Sequence, residues 1–219
     1  MTHSTTPPGP DALEQLWAGD FGDAYLDRNA SAQTKRGQFW NDIAQRYPAG
    51  RTLEVGCAHG ENLRYLSAHR RARDLWGLDV NESALAALRD RVPGANAVWG
   101  RARELPFRDR YFDLVFTVGL LIHQPEISLP VVMAEIVRCS NRWVMFGEYH
   151  ADTPTDINYR DQPGVLFKRD YRRVYEELFP GLVLREERHL TLEESGFDRV
   201  HFAVFERTGE TRPSRSDRG

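Results

Sequence analysis

The chain has 219 residues, of which 41% are hydrophobic and 28% charged, with a formal net charge of −3. That length suits one domain with a sizeable core and argues against two full domains. The composition is ordinary for a globular protein, and the charge balance lacks the basic face of a nucleic-acid binder, so no nucleic-acid partner is expected. No segment approaches the roughly 18 apolar residues of a membrane span, which argues against a membrane partner.

Residues 1–10 are rich in Thr, Ser and Pro with no apolar centre, so residues 1–12 read as a disordered leader rather than a signal peptide. Leu13 to Trp17 reads as a short helix and Phe21 to Asn29 as a turn or half-helix. Gln33 to Tyr47 has helical spacing at Phe39, Trp40, Ile43 and Tyr47 and stops at Pro48. Residues 13–48 are thus expected to form a helical lid ahead of a main domain at 49–206.

From Arg51 the pattern alternates between strands and helices. Strands are expected at Arg51–Val55, Asp74–Asp79, Ala95–Trp99, Phe112–Thr117 and Trp143–Phe146. Helices are expected at Glu61–Ala68, at Glu82–Asp90 with Asn81 as N-cap, and at about Glu126–Arg138, disturbed by Pro130. A long irregular segment, Glu148 to Lys168, precedes a helix at Tyr171–Phe179 capped by Asp170; residues 148–170 are the candidate substrate wall. Two alternating segments, Leu182–Thr191 and Arg199–Glu206, then form a closing hairpin, and the tail 207–219 is polar and expected to be disordered. Repeated strand–helix pairs call for an α/β fold with a mostly parallel sheet, right-handed crossovers and one antiparallel C-terminal strand.

The chemistry concentrates after the first strand, in Glu54-x-Gly56-x-Ala58-x-Gly60, followed by a second strand ending in Asp79. A small-residue turn after a strand and an acid about twenty residues on suit a nucleoside cofactor, with the acid on the ribose hydroxyls. Nicotinamide cofactors, flavins and S-adenosylmethionine all use such a turn. A carboxylate at Glu54 repels a pyrophosphate but attracts a cationic donor, which favours S-adenosylmethionine over a nicotinamide oxidoreductase. Cys57 and Cys139 are far apart, form no metal-ligand spacing and suit free thiols in a reducing cytoplasm. No metal is therefore expected.

The stretch from about Ala49 to Glu206 resembles class I S-adenosylmethionine-dependent methyltransferases. The resemblance implies a Rossmann-like, seven-stranded sheet with helices on both faces. It assigns Glu54, Gly56, Ala58 and Gly60 to the first cofactor motif and Asp79 to the ribose. Gly100, Arg101 and Ala102 take the adenine position, and Thr117, Val118 and Gly119 lie beside the methionine part. A narrower resemblance, to the pseudaminic acid biosynthesis-associated methylases, is carried by Leu16-Trp17-Ala18-Gly19-Asp20-Phe21-Gly22-Asp23-Ala24-Tyr25-Leu26-Asp27-Arg28-Asn29, Leu121-Ile122-His123, Arg138-Cys139-Ser140-Asn141-Arg142, Glu148-Tyr149 and Leu166-Phe167-Lys168-Arg169-Asp170.

Tyr25 and Arg28 are candidates to cap the cofactor carboxylate, because an arginine fork matches a carboxylate. His123 follows the fourth strand, where the methyl group should point, and with Tyr149 and His150 forms the candidate catalytic set. Tyr159, Arg160 and Lys168 are candidate acceptor contacts. The expected activity is methyl transfer to an oxygen or nitrogen of a small polar metabolite: a sugar, nonulosonic acid, nucleoside or antibiotic intermediate. The alternative is a cofactor-binding module acting with a partner enzyme. A homodimer remains open.

Overall fold

The computed structural model describes residues 8–28, 34–160 and 162–208. Most of the expected leader and tail, residues 1–7 and 209–219, lie outside these, as do Asn29 and Gln33. Helix α1 (Pro10–Ala18) begins inside the stretch read as leader, with Pro10 in its first turn, and α2 (Asp20–Arg28) is a full helix rather than a turn or half-helix. The two pack closely: a Cβ on Gly22 would stand 1.9 Å from the Trp17 carbonyl oxygen, so only glycine permits this approach.

Helix α3 (Thr34–Arg46) lies on the sheet, burying Phe39, Trp40 and Ile43, and so belongs to the core. There follow β1 (Thr52–Val55), α4 (Glu61–Leu66), β2 (Leu75–Asp79), α5 (Glu82–Arg91), β3 (Asn96–Trp99) and β4 (Phe112–Val118). Asn81 caps α5 as expected, accepting from the Ala84 N–H at 2.8 Å. Helix α6 (Leu129–Cys139) is not disturbed by Pro130; it starts there, because a missing N–H costs nothing in a first turn.

Strand β5 (Ser140–Tyr149) runs well past its expected end, taking in Glu148 and Tyr149. The segment expected to be irregular is a hairpin, β6 (Thr155–Tyr159) with β7 (Gln162–Lys168), a separate two-stranded sheet with Arg160 left-handed at its turn (φ 53). The chain closes with α7 (Tyr171–Leu178), β8 (Leu182–Leu190), α8 (Leu192–Ser195) and β9 (Val200–Arg207).

The main sheet has the order β3-β2-β1-β4-β5-β9-β8, with β9 antiparallel to both its neighbours and the other pairings parallel. This is the Rossmann-like class I methyltransferase architecture. Strand alternation feeds two cores. Val144, Phe146, Ala203 and Phe205 pack on one side with α6 and α7, while Trp143, Met145, Phe202 and Val204 pack on the other with α3, α4 and α5. Strand order reverses at β1, between β2 and β4, which leaves a crevice at the carboxyl ends of the strands.

Candidate active site

That crevice is a cavity of about 540 Å3. Its floor is made by the residues that leave the strands: Gly56 to His59 after β1, Asp79 to Asn81 after β2, Gly100 and Ala102 after β3, and Gly119 and Leu120 after β4. The first turn is left-handed at Gly56 (φ 73), Ala58 (φ 45) and Gly60 (φ 74). An alanine in that region is strained, yet it places the Ala58 N–H 2.9 Å from Asp79 Oδ2. The Asn81 N–H reaches Asp79 Oδ1 at 3.0 Å, so both carboxylate oxygens are fixed by backbone and keep further lone pairs for a ligand. Burial raises the Asp79 pKa, and these backbone donors oppose the rise.

Glu54 is 1% exposed. Trp40 Nε1 donates to Asn62 Oδ1 at 3.0 Å, and Asn62 Nδ2 donates to Glu54 Oε1 at 2.6 Å, a relay that aims the carboxyl from the core outward. Glu54 lines the cavity, and its Oε2 is buried with no protein hydrogen-bond partner among the described residues. Burial pushes its pKa up to about 8. Near pH 7 burial therefore favours the protonated carboxyl, and a cationic ligand group beside the unpaired Oε2 would draw it back to the carboxylate. Glycine completes the cradle at Gly119 (φ 70), where an added Cβ would meet no protein atom within 4 Å.

The remaining wall of the cavity is built from distant segments. His123, in the 3-10 turn after β4, has Nδ1 2.7 Å from the Val165 carbonyl oxygen. A carbonyl can only accept, so Nδ1 carries the proton and Nε2 keeps its lone pair. Burial lowers the pKa of His123 to about 4, so the ring is neutral near pH 7. The Trp17 ring lies 4.3 Å from it, bringing α1 over the cavity. Leu13 of α1 packs with Val165 and Phe167 of the hairpin, so α1 and the hairpin close the same wall. Tyr25, Arg28, Tyr149, Tyr159 and Arg160 complete it.

Five residues expected at the site lie outside the cavity wall. A Cβ on Gly60 would strike Leu88 Cδ1 at 2.3 Å, so that glycine serves helix packing. Thr117 is fully buried and donates to Glu148 Oε1 at 2.8 Å. Arg101 is turned away to Glu14 of α1 (3.3 Å). Lys168 sits over the Tyr149 ring at 5.3 Å. His150 is not in the wall either; it follows the end of β5 and packs toward His189 and His201.

Glu148 is the main addition. It is fully buried, lines the cavity, and accepts from the Leu120 and Ile122 N–H groups, both at 3.2 Å; burial pushes its pKa up to about 7. Arg36 and Asp198 also line the wall without an advance signal, whereas the Glu148-Tyr149 pair was visible as a motif.

Residues 52–142 match the methyltransferase domain family. Over 90 residues the chain is 38% identical to phthiotriol/phenolphthiotriol dimycocerosates methyltransferase 1 of Mycobacterium ulcerans, a match covering 40% of this chain and 32% of that protein. The chain thus spans about a third of that relative's length. Among solved structures, 1,6-didemethyltoxoflavin-N1-methyltransferase of Burkholderia thailandensis, with bound 1,6-didemethyltoxoflavin and S-adenosylhomocysteine, superposes with a TM-score of 0.74 at 16% identity, covering 94% of this chain and 93% of that one. An S-adenosylmethionine-bound amino pentose methyltransferase of Micromonospora echinaspora, involved in calicheamicin biosynthesis, has a TM-score of 0.62 at 16% identity, covering 87% of this chain and 97% of that one. The chain therefore has the fold of class I methyltransferases, and its central segment, residues 52–142, is similar to the methyltransferase domain family.

Proposed function

We propose that this protein is an S-adenosylmethionine-dependent methyltransferase acting on an oxygen or nitrogen of a small polar metabolite. The observation that carries this reading is the pairing of Asp79, pinned by two backbone N–H groups, with the orphaned Glu54 Oε2 across one cavity floor. Asp79 suits the two ribose hydroxyls, and Glu54 suits a cationic end. Gly100 and Ala102 leave a small-residue slot for the adenine, and Arg28 suits the carboxylate.

When bound, the cofactor supplies a methyl carbon already activated by its positive sulfur. The residues of this chain then hold an acceptor in line. Such alignment is worth up to about 7–11 kcal/mol in well-oriented models. Nε2 of neutral His123 accepts the hydrogen bond of an acceptor hydroxyl or ammonium, and takes its proton where the acceptor must lose one, a contribution of about 10²–10⁴-fold. Tyr149, Tyr159 and Arg160 orient the polar acceptor, while α1, α2 and the 155–168 hairpin exclude water.

The polar, tyrosine-rich acceptor wall supports a sugar, nonulosonic acid, nucleoside or antibiotic intermediate, in line with the motifs resembling pseudaminic acid biosynthesis-associated methylases. The mycobacterial relative's name refers to a lipid, but 90 aligned residues cannot include both α1 and the hairpin, so the acceptor is not carried over from it. Two free, buried cysteines support a cytoplasmic location. Calorimetry with S-adenosylmethionine, followed by a screen of polar sugars and nucleosides for methylated product, tests the proposal. Absence of cofactor binding overturns it; tight binding with no product turns it toward a cofactor-binding module that acts with a partner enzyme.

A further inference from the structure

On the far side of β5 from the cavity, three imidazoles meet. β9 brings His201 opposite Glu148 of β5 and opposite His189 of β8, and His150 follows the end of β5. The His201 ring is stacked on His189 at 4.6 Å and meets the His150 ring edge-on at 4.8 Å. A ligand atom each from His150, His201 and Asp170 lie within 4.8 Å of one another.

The hydrogen bonds set the tautomers. His201 Nε2 lies 2.8 Å from Glu187 Oε1, and His150 Nε2 lies 3.1 Å from Asp152 Oδ1. Each ring therefore donates from Nε2 to a carboxylate and keeps a bare lone pair on Nδ1. Both Nδ1 atoms are buried without a hydrogen-bond partner among the described residues, and His201 is 1% exposed. A buried acceptor left unsatisfied is costly. An imidazole oriented by a carboxylate with its other nitrogen free is also the usual arrangement of a metal-ligating histidine. Asp170 adds an anionic oxygen: it caps α7 through the Arg173 N–H (3.0 Å) and faces Arg172 at 3.6 Å. Arg172 also pairs with Glu176 (2.6 Å) and Glu187 (3.1 Å), so it stays neutralised if Asp170 turns to a cation.

We propose that His150 Nδ1, His201 Nδ1 and an Asp170 carboxylate oxygen bind one divalent transition metal, zinc by the ligand set, with water completing four-coordination. The metal ties the end of β5 and β9 to the start of α7, outside the methyl-transfer cavity. Its ligands come from three separated segments, which is why no spacing in the sequence announces the site.

The full chain, stripped with a chelator, is titrated with Zn2+ by calorimetry and with Co2+ by visible absorption. One Co2+ per chain should bind with ligand-field bands, and Zn2+ should raise the Tm. His150→Ala should weaken Zn2+ at least about tenfold. Asp170→Asn, which keeps a good helix cap, should do the same, so a poorly folded first variant does not spoil the test. His189→Ala should leave affinity within about threefold. Equal binding by the wild type, His150→Ala and Asp170→Asn overturns the proposal. So does a tenfold loss in His189→Ala, which would put the metal on Glu187, His189 and His201 instead.

Discussion

His123 and Val165 are coupled by a 2.7 Å contact between Nδ1 and a carbonyl oxygen, and this contact decides which imidazole nitrogen can meet an acceptor. Because Nδ1–H donates to the carbonyl, Nε2 is the nitrogen left to serve as the proposed base. His123→Ala should lower kcat by about 10²–10⁴-fold for an acceptor that must lose a proton, with little change in cofactor affinity by calorimetry. Burial holds the His123 pKa at about 4, so the acid limb of the rate profile in the wild type should fall near pH 4 rather than near 6.5. An unchanged kcat would remove His123 from the chemistry.

Asp79 holds the Ala58 and Asn81 N–H groups and faces the cavity. Charge-assisted hydrogen bonds of this kind are worth about 1.5–3 kcal/mol each. Asp79→Asn should weaken S-adenosylmethionine binding about 10- to 100-fold while circular dichroism stays native. Retention of full affinity would detach the acid from the cofactor.

The buried acids and His123 give opposite pH dependences. Glu54 and Glu148 titrate at about 8 and about 7 in the fold, above their ordinary 4.5, chiefly because burial disfavours the charged form. From pH 4.5 up to those raised values the folded chain binds more protons than the unfolded one, so stability falls as pH rises from about 4.5 to about 7 for Glu148 and about 8 for Glu54. For His123, lowered from 6.5 to about 4, the unfolded chain takes the proton first, and stability is lost as pH falls across that interval. Glu54→Gln should therefore flatten the decline above pH 5, measured as urea midpoints at pH 5 and 8.5. An identical slope in the variant would show that Glu54 ionises freely in the fold.

Gly22 sets how closely α1 and α2 approach. Its substitution by alanine brings a Cβ within 1.9 Å of the Trp17 carbonyl oxygen and 2.9 Å of Asn81 Nδ2. Asn81 Nδ2 itself bonds that carbonyl at 3.2 Å and Asp23 at 2.9 Å, linking α1 and α2 to the turn beside Asp79. Gly22→Ala should cost about 1–3 kcal/mol through overpacking. Faster hydrogen exchange over residues 10–28 and a raised KM for the acceptor are the expected readouts. Protection equal to that of the wild type would mean the helices accommodate the methyl group without moving.

The strands from Thr52 to Val118, the helices between them and the cofactor turn were legible because their information is local. Apolar runs such as Leu114, Val115 and Phe116 mark strands, Asn81 and Asp170 mark caps, and Gly56 marks a left-handed turn. The 155–168 hairpin was not legible: Val165, Leu166 and Phe167 are all buried, so β7 has no two-residue alternation to read, and its partner carries Asp156 and Asn158.

Local residue choice alone thus determined an α/β chain with a small-residue turn, an acid at Glu54 and a second at Asp79. Tertiary structure decided that Glu148 enters the cavity and His150 leaves it, that Arg101 turns to α1, and that Trp17 meets His123. These outcomes depend on strand register and on packing between segments remote in the chain. Neighbouring residues encode backbone preference, but which remote side chains share a cavity is settled only when burial on both faces of the sheet selects one register.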